Sequence, residues 1–366
     1  MMCKKEVVTI ICLSYCLLGF MNIITHNTIK DSAFRKYDIR GKVGDEISIN
    51  ATYDLARTVA YFLLKKDPQV KTVAVGMDGR THSPAIKEQV CKALSDSGLD
   101  VVFVGLCTSP VLYFSLFKAP VDAGIMITAS HNAKEYNGMK ICVKKDNVYG
   151  EEIQEIKNLL RAKKRIVSKR RGTYQRVDGV ELYINYMKDH FKQLVGSDIS
   201  AVIDCGNGAA GAVLPRLIEK MEWKNVSLLF ADVDGTYPNH EANPIVEENM
   251  KEVKKALQES DIALGAGLDG DGDRMAAMIP AGDLLIGDRL LAIYAKYFLP
   301  QNPGASVVFD VTVSSGLLDV IKKYGGEPVF SPSGVSFIKA NMRKSNALLG
   351  GEMSCHLFFK DDYFWL

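Results

Sequence analysis

The segment IALGAGLDGDGDR, residues 262–274, places three aspartates directly after an apolar, glycine-rich run that predicts a buried strand. Asp269, Asp271 and Asp273 alternate with glycines, so their side chains converge on one side of an extended chain that can bend tightly. Clustered carboxylates repel one another unless a cation lies between them, and Mg²⁺ prefers such oxygens. Asp-Gly dipeptides also favour a hairpin turn, but three aspartates in five residues indicate a metal site.

Arg274 follows the last of these aspartates, and a cation at that point favours a phosphate ligand that shares the site. The spacing excludes an EF-hand calcium loop. Its sixth position would be Arg274, not glycine, and its twelfth would be Pro280, not glutamate.

The same pattern of strand and polar loop occurs three times along the chain. A β-rich run ends in aspartate, a loop and a helix follow, and a second apolar strand then leads into a dense polar loop. The strand-end aspartates are Asp78, Asp204 and Asp310, and the polar loops begin at Ser130, Asp269 and Glu352. Because ligands gather at the carboxyl ends of strands in open α/β sheets, the three loops are expected to share one cleft.

The fold predicted from this pattern is α/β, with three similar domains of mixed or parallel sheets in tandem around that cleft. The expected domains cover residues 28–175, 176–283 and 284–366, and the third is expected to be incomplete. An apolar extension, residues 1–27, precedes them. It resembles a signal peptide but lacks a small-x-small cleavage site, so we expect translation to start at Met21, with an export or membrane segment as the alternative.

Composition excludes several classes of protein. The 366 residues are 47% hydrophobic and 24% charged, which is typical of a globular chain with more than one core. A net charge of +2 gives no field that would favour nucleic acid or an anionic membrane. The eight cysteines show no zinc spacing after residue 16, so we expect reduced thiols and a cytoplasmic location. The basic stretch 161–172 is interpreted as a solvated linker.

The loop TASHNAKEYNGMK, residues 128–140, contains a candidate nucleophile, Ser130. Thr128 and Asn132 replace the glycines of the G-x-S-x-G elbow, which argues against acyl transfer. A serine that accepts and returns a phosphoryl group needs a metal, cations and a proton shuttle, which the aspartate cluster, Lys140 and His131 could supply. The alternative is that the Ser-His-Asn triplet only caps a turn.

A third motif points to a different chemistry. GNGAAG, residues 206–211, matches G-x-G-x-x-G between a strand and a helix, and Asp232 follows about twenty residues later. This pattern is typical of dinucleotide binding, but it leaves the other polar loops unexplained.

Taken together, the loops resemble those of the α-D-phosphohexomutase family, in its phosphomannomutase/phosphoglucomutase branch. Five segments in the family's order carry the resemblance, which extends from Phe34 to about Phe364. They are FRKYDIRG (34–41), TASHNAKEYNGMK (128–140), YPNHEANP (237–244), LDGDGDR (268–274) and GGEMSCH (350–356).

The resemblance implies a mutase that interconverts hexose 1-phosphate and hexose 6-phosphate, of mannose or glucose, through a phosphoserine and a bisphosphate. Ser130 would be that phosphoserine and would bind Mg²⁺ together with Asp269, Asp271 and Asp273. Arg40, His131 and Lys140 would assist transfer. The substrate-binding residues implied are Tyr37, Arg274, Glu352, Ser354 and His356. The expected partner is a hexose phosphate, without nucleic acid or membrane, and the expected state is a monomer or weak dimer.

The chain also departs from the family's pattern. Thr312 and Val335 stand where the family often has a basic residue and a histidine, and Cys355 replaces a glycine. The resemblance also implies a fourth domain of roughly a hundred residues, which we expect this chain to lack, so we expect impaired turnover. A non-catalytic sugar-phosphate-binding remnant, a metal-dependent phosphohydrolase and an NAD-dependent dehydrogenase remain alternatives.

Overall fold

The computed structural model describes residues 28–360, which form three α/β units, each built on its own sheet. The first sheet has seven strands in the order β1-β5-β4-β2-β3-β7, with β6 beside β5. Those strands are β1 (Ile39–Lys42), β2 (Thr72–Met77), β3 (Asp100–Leu106), β4 (Ala123–Ile127), β5 (Tyr136–Val143), β6 (Asp146–Asn147) and β7 (Tyr174–Arg176). β2, β3, β4 and β7 are parallel, whereas β5 runs antiparallel to its neighbours β1, β4 and β6.

Four helices cover the first sheet. They are α1 (Ala51–Lys66), α2 (Ser83–Asp96), α3 (Ser109–Lys118) and α4 (Glu151–Arg161). The apolar residues of α1 recur at helical spacing, and Leu55, Val59 and Phe62 are all buried in the main core. Asn50, the residue before α1, makes no side-chain cap hydrogen bond, because its own backbone is already helical (φ −64°, ψ −34°).

The second sheet has five strands in the order β12-β11-β10-β8-β9. They are β8 (Ala201–Asp204), β9 (Val226–Leu229), β10 (Leu264–Leu268), β11 (Met275–Met278) and β12 (Leu284–Leu285), with helices α5 (Gly179–His190), α6 (Leu214–Met221) and α7 (Lys251–Glu259). α5 packs on α3 and β3 of the first unit as well as on α6, so it joins the first two units.

The third sheet has four strands in the order β14-β13-β15-β16. They are β13 (Ser306–Asp310), β14 (Glu327–Ser331), β15 (Leu349–Gly351) and β16 (Leu357–Phe359), with helices α8 (Gly287–Phe298), α9 (Ser315–Lys323) and α10 (Val335–Ser345). In each unit, the polar loop identified from the sequence directly follows a strand, which is β4, β10 or β15. The α/β class with three mixed sheets is therefore confirmed.

Two sequence-based expectations concern the junction after the first unit. The expected boundary between residues 175 and 176 lies inside β7, which pairs with β3. The basic stretch 161–172 runs along the surface of the first unit, where Arg170 pairs with Asp100 and Arg171 with Asp96. These exposed ion pairs tie the connection to the unit that it leaves, although each contributes little to stability.

The predictions for the chain ends lie outside the described residues. These are the apolar extension 1–27, the start at Met21, the end of the resemblance near Phe364 and the incomplete third domain. Within residues 28–360, no helix is both long enough and apolar enough to span a bilayer. The cysteines of this part of the chain are buried free thiols: Cys91, Cys107, Cys142, Cys205 and Cys355.

A glycine-to-alanine change tests the pairing of β1 with β5. A Cβ on Gly138 would lie 2.0 Å from the Ile39 carbonyl oxygen and 2.8 Å from Arg40 Cα. We expect Gly138→Ala to destabilise the protein by about 1–3 kcal/mol through overpacking, measured as a lower thermal midpoint. The matched control is Gly316→Ala in α9, where the nearest atom is 3.6 Å away and alanine favours the helix. Equal thermal midpoints for the two variants would contradict this pairing of β1 with β5.

Candidate active site

The polar loops of all three units and strand β1 meet at one cleft of about 480 Å³. Many of the residues predicted from the sequence line it: Tyr37, Arg40, Ser130, Lys140, Asp273, Arg274, Glu352, Ser354 and His356. Asp269 and Asp271 are fully buried and contact the lining residues Ser130 and Lys140, respectively. His131 lies beside Ser130. The structure thus brings all of the predicted site residues together.

Ser130 occupies a tight turn directly after β4. Its φ of 52° lies in the left-handed region, which costs a non-glycine residue of order 1–3 kcal/mol. Its backbone N–H donates to Thr128 Oγ1 at 2.8 Å, and its own hydroxyl donates to Asp269 Oδ2 at 2.7 Å. The strained turn therefore directs the Ser130 hydroxyl at the carboxylate cluster of the second unit.

The three aspartates after β10 form a single cluster, in which one carboxylate oxygen from each lies within 4.8 Å of the others. Burial, and then the charges of Asp271 and Asp273, raise the pKa of Asp269 to about 7. Asp271 Oδ1 is buried and accepts no hydrogen bond. A buried carboxylate oxygen without a partner is an available ligand, so this donor set fits a hard divalent cation.

Lys140, on β5, supplies a positive charge to the same cluster. Its ammonium group lies 2.6 Å from Asp271 Oδ2 and 2.5 Å from Asp273 Oδ2. Burial alone would lower the pKa of Lys140, but the two carboxylates outweigh it and raise the pKa well above its usual value. Asp273, conversely, has its pKa held low by Lys140 and His356 despite its burial. Lys140 is therefore a cation and Asp273 an anion at neutral pH.

His131 and Arg40 flank Ser130 on its other side. His131 Nδ1 lies 3.3 Å from Ser130 Oγ. Burial, with added repulsion from Arg274 and Arg40, lowers the pKa of His131 to about 3, so its imidazole is neutral. Arg40 donates to Asn132 Oδ1 at 2.6 Å and pairs with Asp38 at 3.1 Å, while its buried Nε–H has no partner. This free donor is available to an anion in the cleft.

The third unit contributes a linked pair of side chains. His356 Nδ1 lies 2.8 Å from Glu352 Oε2, and its Nε2 lies 3.2 Å from Asp273 Oδ1. Burial alone would lower the pKa of His356, but Asp273 and the hydrogen bonds to both carboxylates raise it. Ser354 Oγ lies 3.1 Å from His356 Nδ1, and Arg274 Nε lies 3.4 Å from His356 Nε2. His356 therefore links residues 269–274, the candidate metal loop, to the loop after β15.

Tyr37 joins the first unit to the third. Its hydroxyl donates to the Ser333 carbonyl at 2.5 Å, and Gly334 packs so closely that a Cβ there would lie 2.3 Å from the ring. The Gly334 amide in turn donates to Glu352 Oε1. Tyr37 thus borders the cleft where the first unit meets the third.

The departures from the family's pattern have visible local consequences. Cys355 has a φ of 70°, a conformation that suits the glycine it replaces, and its sulfur accepts from the Gly287 amide at 3.3 Å. Thr312 donates to the strand-end Asp310 at 2.7 Å. Val335 is the first residue of α10 and presents an apolar side chain to the cleft.

The GNGAAG motif has a structural explanation. Three backbone N–H groups of this loop are already paired. The N–H of Asn207 donates to the Phe230 carbonyl, the N–H of Gly208 to the Cys205 carbonyl, and the N–H of Ala209 to the Gly270 carbonyl. Amides that are already hydrogen-bonded cannot cradle a pyrophosphate. The loop instead packs against the metal loop, since a Cβ on Gly208 would lie 2.9 Å from Gly270 O.

Sequence reasoning missed two residues that support the site. Ser109, the first residue of α3, donates its hydroxyl to Asp271 Oδ2 at 2.6 Å, and its amide donates to the Asp271 carbonyl at 2.8 Å. Its place after the parallel strand β3 was a signal that could have identified it. Arg80 was missed as well, and it holds the main chain around Ser130.

Family models match each of the three units. The first domain of phosphoglucomutase/phosphomannomutase, described as alpha/beta/alpha domain I, matches residues 31–166. Domain II matches residues 181–282 and domain III matches residues 286–365.

Individual relatives agree with these matches. The chain is 39% identical over 337 residues to a phosphomannomutase/phosphoglucomutase of Pseudomonas syringae pv. tomato, which covers 92% of this chain and 71% of that protein. It is 36% identical to a phosphoglucomutase of Neisseria gonorrhoeae over a similar share. A crystal structure of a phosphoglucomutase/phosphomannomutase family protein from Burkholderia thailandensis matches with a TM-score of 0.85 and 32% identity, covering 92% of this chain and 74% of that one. The chain therefore belongs to the phosphoglucomutase/phosphomannomutase family.

A conservative substitution tests the metal site. Asp271→Asn removes one of the clustered charges and keeps the shape of the side chain, so we expect Mg²⁺ affinity to fall about tenfold or more, as measured by calorimetry. Asp283→Asn, an exposed carboxylate in the following turn, is the matched control and should bind Mg²⁺ normally. Unchanged affinity in Asp271→Asn would refute the site.

Proposed function

We propose that this chain interconverts hexose 1-phosphate and hexose 6-phosphate, of mannose or glucose, through phosphorylated Ser130 and a hexose bisphosphate. The observation that carries the proposal is the 2.7 Å hydrogen bond from the Ser130 hydroxyl to Asp269 Oδ2. It sets a candidate nucleophile against a carboxylate cluster suited to Mg²⁺. The names of the relatives, phosphomannomutase and phosphoglucomutase, support the choice of substrate.

The reaction consists of two phosphoryl transfers in opposite directions. In the first, the bond from phosphorus to Ser130 Oγ breaks as a bond to the free hydroxyl of the sugar phosphate forms. The hydroxyl loses its proton and Ser130 Oγ gains one. The bisphosphate then turns end over end, and its other phosphoryl group returns to Ser130. Mg²⁺ held by the three aspartates would neutralise charge on the transferring group.

Two kinds of residue serve this chemistry at Ser130. His131 is neutral because burial lowers its pKa to about 3, so its Nδ1, 3.3 Å from Ser130 Oγ, serves as an uncharged hydrogen-bond partner that orients the hydroxyl. Arg40 and Arg274 line the cleft as guanidinium groups that can bind phosphate oxygens, and Lys140 adds charge next to the aspartates.

The third unit would hold the sugar. Glu352 and Ser354 face the cleft with carboxylate and hydroxyl groups that match sugar hydroxyls, and His356 lies between them and Asp273. A substrate that must react at both ends needs contacts that accept either orientation. A small set of hydroxyl-binding groups on the third unit, which lines the same cleft as Ser130, meets that need.

Phosphate uptake tests the proposal directly. We expect the chain, incubated with glucose 1,6-bisphosphate and Mg²⁺, to gain about 80 Da, the mass of one phosphoryl group on serine, in intact-protein mass spectrometry. Peptide mapping should place the gain on Ser130, and Ser130→Ala should show none. Ser95→Ala is the matched control and should retain uptake, because Ser95 is a buried serine of the same unit whose hydroxyl donates to the Gly172 carbonyl. A gain that persists in Ser130→Ala would contradict the proposal.

A further inference from the structure

Arg80 lies behind the Ser130 loop and is about 1% exposed. Its guanidinium group donates four hydrogen bonds to main-chain carbonyls of that loop. Nη2 donates to Ser130 O at 2.7 Å and Asn132 O at 2.6 Å. Nη1 donates to Ala133 O at 2.8 Å and Tyr136 O at 3.1 Å.

The remaining nitrogen of the guanidinium forms an ion pair with a carboxylate, without hydrogen-bond geometry. Nε lies 3.2 Å from Asp78 Oδ2, and Asp78 is the strand-end aspartate of the first unit. Arginine is the side chain with five donors in a rigid planar fork, whereas lysine has three donors around one nitrogen. The pocket behind the loop is therefore specific for arginine.

The second unit closes over this arginine. The ring of Tyr237 lies 5.2 Å from Arg80 Cζ, a cation–π distance. Gly270 of the metal loop approaches the same point, since a Cβ there would lie 2.6 Å from Ser130 O and 2.9 Å from Tyr237 Oη. The carbonyl of Ser130 is thus confined between Arg80 and the metal loop.

We propose that Arg80 is a positioning residue for phosphoryl transfer, which fixes the strained backbone at Ser130 so that its hydroxyl meets Asp269. Arg80 does not touch the substrate. It acts by binding the Ser130 carbonyl and three carbonyls that follow it in the loop, while the ring of Tyr237 packs against its guanidinium group from the second unit. Its effect on transfer rests on the proposed function, whereas its effect on the loop does not.

The test compares Arg80→Lys with a matched control. Arg57→Lys alters another first-unit arginine, one that donates to the Ile166 carbonyl and lies 5.9 Å from the ring of Tyr53. In Arg80→Lys we expect Ser130 to be phosphorylated by glucose 1,6-bisphosphate about a hundredfold more slowly, because a displacement of about 1 Å can have that effect. The bisphosphate concentration for half-maximal rate and the Mg²⁺ affinity should stay within about threefold of wild type, since the three aspartates are unchanged.

Hydrogen exchange gives a readout that needs no activity. Amides of segment 128–137 should exchange about tenfold or more faster in Arg80→Lys, with the other first-unit peptides unchanged, and Arg57→Lys should match wild type there. If Arg80→Lys does not fold, Tyr237→Leu, which keeps Arg80 and removes the ring above it, should show faster exchange in the same segment.

The outcomes separate the two proposals. Normal exchange in segment 128–137 and normal phosphorylation in the folded variants would overturn the role of Arg80. A rate loss that only follows the loss of folded protein would overturn it too. A wild-type chain that takes up no phosphate, together with faster exchange confined to segment 128–137 in Arg80→Lys, would refute the proposed function and leave Arg80 as the residue that fixes the loop.

Discussion

The contact between the Ser130 hydroxyl and Asp269 joins two units of the fold, and the remainder of the site is arranged around it. Ser130 belongs to a loop of the first sheet, and Asp269 belongs to a loop of the second. Neither loop holds a complete site alone, since one provides the hydroxyl and the other the buried carboxylates. The interface between these two units therefore fixes the reacting geometry, and loosening of that interface would weaken the site before it unfolded either core.

Electrostatics imposes the second constraint. One carboxylate oxygen from each of the three aspartates lies within 4.8 Å of the others, so their charges repel one another. Burial, and then this repulsion, raises the pKa of Asp269 to about 7. Lys140 and His356 each approach the cluster from another unit and offset part of that repulsion. Positive groups on all sides of an acidic floor suit a site that binds both a cation and a phosphate.

The fold and most of the site could be predicted because they follow from local patterns. Apolar strands that end in polar loops indicate parallel α/β sheets, and the carboxyl ends of such strands meet at one edge. Asp269 and its neighbours, together with Ser130, were found in this way. The five ordered motifs then extended the prediction to residues such as Tyr37 and Glu352 in other loops.

What could not be predicted depends on tertiary contacts between distant segments. Ser109 reaches Asp271 across 162 positions of sequence, and its place after β3 indicates the edge of the sheet but not the carboxylate that it binds. Arg80 follows a strand in an ordinary turn, and only the folded loop shows its four carbonyl partners. The pairing of β7 with the first sheet, which contains the expected boundary near residue 175, likewise depends on a parallel register with β3.

One measurement tests most directly whether the serine and the carboxylate cluster form a centre for phosphoryl exchange. The chain phosphorylated at Ser130 would be mixed with glucose 6-phosphate and Mg²⁺ and followed by phosphorus NMR. The geometry predicts that the phosphoserine signal falls as signals of a hexose bisphosphate rise at the same rate. Loss of the phosphoserine signal to inorganic phosphate alone would indicate hydrolysis, and a phosphoserine signal that persists unchanged would show that no exchange takes place; either result would contradict the assignment.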